Sequence, residues 1–133
     1  MVEPLKVKSA RDEFELVLGP PDGQGGSFPV RLSGPGISAT VHAYEHGYQW
    51  APAFFADLAD HWRGWAGEKS WESAEAHIRL SATADRLGHV LLRVALRDLN
   101  VSADWRVEAS LLIEAGQLGE LATSARAAFE RDA

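Results

Sequence analysis

Between Ile78 and Ile113 apolar and polar residues alternate in three successive runs, and only short breaks separate them. Ile78, Leu80, Ala82 and Ala84 share one side of the first run. Asp85-Arg86-Leu87-Gly88 has the composition of a turn, and Val90, Leu92, Val94 and Leu96 line the second run. After a connection from Asp98 to Asp104, Trp105, Val107, Ala109, Leu111 and Ile113 line the third. A period of two puts each set on one face of an extended chain. Runs joined by such short loops are antiparallel neighbours. This part of the chain therefore makes a sheet with one apolar face, and another element must cover that face.

Helices supply the cover. From Pro52 onward Phe54, Phe55, Leu58, Ala59, Trp62 and Trp65 recur at helical spacing, with Asp57, Asp60 and Arg63 opposite. Proline suits the first helical turn, and Gly64 and Gly67 place the end near residue 66. This phase puts Trp62 and Trp65 on the core-facing stripe. Leu118, Leu121, Ala122, Ala125 and Phe129 predict a second amphipathic helix. Ahead of the first helix, short strands are expected around residues 14–18, 28–32 and 37–44, with Pro29 marking an edge strand. The order becomes β-β-β-α-β-β-β-α: an α+β fold with a single antiparallel sheet of about six strands and two helices packed on its apolar face. No linker divides residues 1–133, which read as one domain with loosely ordered ends at 1–12 and 130–133.

Several functional classes are excluded. The chain has 133 residues and no cysteine, so it has no disulfide framework, thiolate metal site or cysteine nucleophile. No apolar run is long enough to span a membrane, and the first residues lack a signal-peptide core, which predicts a cytoplasmic protein. A net charge of −6 with no Lys/Arg run argues against nucleic acid. Carboxylates are numerous, but no pair has a spacing that implies acid/base work. No nucleophile elbow or phosphate loop is present. The expectation is a non-enzyme without cofactor or metal.

Two sets of residues remain as candidate sites. The polar faces of the last three strands carry Arg79, Arg93, Arg97 and Arg106, which could receive a carboxylate or other anion of a partner. Tyr44, Trp62, Trp65 and Trp105 could instead line a small-molecule pocket between the first helix and the sheet. In VHAYEHGYQW, His42, Tyr44, His46 and Tyr48 would share one face of an extended chain, but no third metal ligand stands at a diagnostic spacing.

The run FFADLADHWRGWAGEKSWES, followed by LGHVLLRVAL and DWRVEASLLIEAGQLGELA, carries a recognisable pattern. It consists of W-x-G-W, G-E-K-x-W, D-x-L-G-H-V, D-W-R-V and E-x-G-x-L. Over residues 50–129 the chain resembles an actinobacterial family of small proteins of unknown function, domain of unknown function 6228. Its rhythm of helix, hairpin and tryptophan-bearing strand is more loosely similar to immunity proteins that neutralise polymorphic toxins. Neither resemblance brings catalytic residues. The function expected is a protein-binding module of immunity or antitoxin type, whose partner is a basic toxin or a second copy in a homodimer. Small-molecule binding is the alternative.

Overall fold

Among the described residues there are eight strands and two helices, in the order β-β-β-β-α-β-β-β-β-α. The structure is a computed structural model that describes residues 2–21, 26–45, 50–98 and 104–129. The strands form two four-stranded antiparallel sheets and not the single six-stranded sheet expected. The first sheet contains β1 (Leu5–Lys8), β2 (Glu15–Leu18), β3 (Ser27–Gly34) and β4 (Ile37–Tyr44). The second contains β5 (Lys69–Glu72), β6 (Ile78–Ala84), β7 (His89–Asp98) and β8 (Trp105–Glu114). Each is a meander in sequence order. α1 (Trp50–Asp60) follows the first sheet and α2 (Leu118–Phe129) the second, after a 3-10 turn at Ala115–Gln117. The chain is thus two ββββα halves, one strand per half more than the sequence suggested.

The added strands are short. In β1, Leu5 and Val7 are fully buried and alternate with exposed Lys6 and Lys8, so part of the expected loose N-terminus is core. In β5, Lys69-Ser70-Trp71-Glu72 has a single apolar side chain to signal it. The hairpins follow their turn chemistry. Pro35-Gly36 connects β3 to β4 with Gly36 at φ +79°, as a type II turn requires. In the β6–β7 turn the Asp85 carboxylate accepts the backbone N–H groups of Leu87 (2.8 Å) and His89 (3.0 Å).

One continuous core joins both halves. Leu16, Leu18, Phe28, Val30 and Leu32 of the first sheet, Leu80, Leu92, Val94 and Ile113 of the second, and Phe55, Leu58 and Phe129 of the helices all belong to it. α1 and α2 pack on each other. An aromatic cluster ties the four units together. Trp71 of β5 stacks on Trp50 of α1 at 3.4 Å and 3°, and Trp50 lies 5.4 Å from Phe28 of β3 and 5.5 Å from Phe129 of α2. Among the described residues the sheets also meet at two seams. Tyr44 bridges to Ala74 at one. At the other, Leu112 of β8 donates its N–H to Ser9 Oγ (3.1 Å) and accepts the Ala10 N–H (2.7 Å).

The first helix is shorter than its periodicity implied, which corrects the reading of Trp62. α1 stops at Asp60, and a turn follows in which Gly64 has φ +113°, a value no helix accommodates. Trp62 sits in that turn and is 54% exposed, with the Arg63 guanidinium 5.0 Å from its ring centre. Trp65 returns to the molecule, half-buried, and donates its indole N–H to the Ala82 carbonyl at 3.2 Å. No helix among the described residues is long and apolar enough to cross a membrane.

Candidate functional site

The strand register of the second sheet fixes what its outer face displays. Ser70, Ser81, Arg93 and Ser110 stand side by side across β5–β8, and Glu72, Arg79, Ala95 and Glu108 form the next row. Arg97 then stands opposite Arg106. Directly opposed residues lie about 5 Å apart at Cβ, so the four arginines read from the sequence occupy one continuous patch. Their period-two spacing on β6, β7 and β8 produces this arrangement, because the alternate residues turn to the core, buried on β6 and β7 and partly buried beside Arg106 on β8.

The four differ in what holds them. Arg79 pairs with Glu68 at 3.2 Å and Glu72 at 3.8 Å, and Arg106 pairs with Glu108 at 3.3 Å. Neither Arg93 nor Arg97 pairs with a carboxylate among the described residues. A cleft of about 200 Å³ lies over the patch, lined by Arg79, Arg93, Arg106, Ser81, Glu68 and Glu108 among others. Arg97 lies beside it. The exposed pairs contribute little to stability, and they place two paired guanidinium groups around a third, Arg93, that has no carboxylate partner among the described residues. Such a site can accept one carboxylate through paired N–H donors, with the Ser81 hydroxyl nearby. Glu68 and Glu108 on its rim oppose an extended polyanion.

The aromatic set is not gathered. Trp65 bonds to Ala82, which pairs with Leu92, whereas Trp105 pairs with Asp98. Six residues of β7 separate those positions, about 20 Å along the strand. Tyr44 stands at the seam with Ala74, and Trp62 projects outward. The tryptophan pair that does meet is Trp50 with Trp71, and contact between a helix start and an edge strand leaves no local pattern in the sequence.

His42 is exposed on β4, while His46 and Tyr48 lie outside the described residues. Among the described residues no group of three or more histidines and carboxylates could hold a metal ion. His42 shares a cleft of about 280 Å³ with Thr40, His77 and Asp98, at the seam between β4 and the second sheet. The Nδ1 of His77 is buried there without a hydrogen-bond partner among the described residues. Among the described residues two carboxylates are perturbed, both in tight turns. The backbone N–H of His89, followed by that of Leu87 and the His89 ring, holds Asp85 below the ordinary aspartate range; the Phe14 N–H does the same for Asp12.

These observations define an α+β protein of two ββββα halves with a common core and an arginine patch on one outer sheet face. The chain belongs to a family of unknown function, DUF6228, whose model matches residues 10–132. No curated protein matches it.

Proposed function

We propose that this chain is a non-enzymatic protein-binding module of the immunity type, and that the outer face of β5–β8 is its contact surface. The observation that carries the reading is Arg93. It sits at the centre of that face with no carboxylate partner among the described residues, between Arg79 and Arg106, which each have one. A guanidinium so placed fits a carboxylate presented by another protein. The net charge of −6 favours a partner that is basic overall, drawn in by the general field and fixed locally by an acidic side chain at the patch. A cytoplasmic inhibitor of a basic toxin combines these properties.

The test uses the tagged full chain, recovered from its native host alongside an Arg93→Ala/Arg97→Ala variant. A protein retained by the wild type and lost by the variant supports the patch, given unchanged circular dichroism. The affinity loss expected is about tenfold or more. The immunity role requires that this protein be toxic when expressed alone and neutralised by the wild type but not by the variant. Association that slows steeply with added salt agrees with the charge argument. Equal retention by both chains discards the patch.

A further inference from the structure

We infer that two copies of this chain pair through the β8 edge, antiparallel, about a two-fold axis at Val107. β8 is an edge of the second sheet. Both backbone groups of Leu112 point away from β7, since they bond to Ser9 and Ala10. Backbone direction alternates along a strand, so the groups of Ser110, Glu108 and Arg106 point the same way. The Ser110 carbonyl accepts from the Arg11 guanidinium at 3.2 Å. From Trp105 to Ala109 the edge has no main-chain partner among the described residues outside its ladder with β7. The open stretch is therefore five residues long, and its midpoint is Val107.

Charge selects the same centre. Main-chain pairing across the edge requires Arg106 and Glu108, whose groups point outward, to face even-numbered residues of the second copy. A centre at Arg106 opposes two arginines. A centre at Glu108 opposes two glutamates and also needs Ser110, whose carbonyl is already bonded. A centre at Val107 sets Arg106 against Glu108 of the partner, twice by symmetry. It also sets Trp105 against Ala109 of the partner, a large side chain opposite a small one. Trp105, Val107 and Ala109 are each only partly buried, which leaves apolar surface on the inner side of this edge for the pairing to cover. The contact is isologous, as two-fold pairing demands. It also satisfies an edge that would otherwise template uncontrolled association. So short an edge gives a small interface, hence a weak, concentration-dependent dimer.

Sedimentation of the full chain over about 1 μM to about 1 mM tests the pairing, and the mass should rise from 14.5 kDa toward twice that value. Glu108→Arg and Arg106→Glu should each weaken the dimer about tenfold or more, because two attractive cross-strand pairs become repulsive. The combined Arg106→Glu/Glu108→Arg chain should regain it, an outcome that simple misfolding does not produce. The protein has no cysteine of its own, so Val107→Cys introduces a unique thiol. Residue 107 would meet its own copy at a Cα separation of about 4.5 Å, within disulfide range, and mild oxidation should cross-link it. Arg106→Cys should not cross-link. A monomer mass throughout, a dimer indifferent to Glu108→Arg, a combined variant that stays monomeric, or equal cross-linking at 106 and 107 would each overturn the inference. Arg93→Ala/Arg97→Ala should leave the dimer intact, so failure of the partner patch and failure of this edge are separable.

Discussion

Trp62 and Trp71 stand nine residues apart in one tryptophan-rich stretch, yet their environments predict opposite responses to truncation. The ring of Trp71 lies flat on Trp50, and Trp50 packs in turn on Phe28 and Phe129, both fully buried. Trp71→Ala removes the member of this cluster that belongs to the second sheet. A buried Trp→Ala change costs about 3–5 kcal/mol. Trp71 is partly exposed, so its area loss is smaller, and the lost aromatic contact adds about 1 kcal/mol. The sum expected is about 2–3 kcal/mol, which lowers the melting temperature of a chain this size by about 6–15 °C. Trp62→Ala should fall within about 0.5 kcal/mol of wild type, because its ring is half in solvent and is contacted by one exposed arginine. Equilibrium urea unfolding followed by far-ultraviolet circular dichroism measures both. If Trp71→Ala costs less than about 1 kcal/mol, or if the two variants cost the same, the cluster does not hold the sheets together.

Two glycine substitutions should have opposite signs in thermal melts. Gly119→Ala in the first turn of α2 meets no atom within 4 Å and should stabilise by about 0.5–1 kcal/mol. Gly34→Ala places a methyl 2.6 Å from the Phe14 ring and should cost about 1–3 kcal/mol. Asp85→Asn should lower the unfolding midpoint at neutral pH. The folded-state pKa of Asp85 lies below its unfolded value, so its contribution is present above the ordinary aspartate range and is lost as pH falls below it. The gap between variant and wild type should therefore close in urea titrations from about pH 4 downward, and a gap unchanged by pH would refute the assignment.

The alternation from Ile78 to Ile113 was legible because every second residue turns toward the core on a long strand, buried along β6 and β7 and partly buried at the start of β8, and that regularity also placed the four arginines together. β1 and β5 escaped because four residues with one or two apolar side chains carry too little pattern. The division into two sheets was not legible at all. Periodicity reports which face a strand buries, and it does not report whether strands on either side of a helix bond to each other. Trp62 was misplaced because apolar spacing continued past the point where the backbone left the helix. At the patch, the period gave the face but not the pairing. Which arginines find a carboxylate depends on Glu68 and Glu72, which approach Arg79 from β5 and the segment before it.

The seam at Leu112 has a consequence for the order in which the molecule assembles. Its partner Ser9 lies 103 residues away in sequence, whereas the hairpins within each meander join near neighbours. Local hairpins close quickly, and contacts that bridge most of the chain require the larger entropy loss of ordering everything between them. The two halves should therefore gain their strand pairing before the seam forms, and the segment at Ser9–Arg11 should dock only after β8 exists. During synthesis the first half would then wait, with the Ser9 hydroxyl and the Ala10 N–H not yet docked, for the last strand to leave the ribosome.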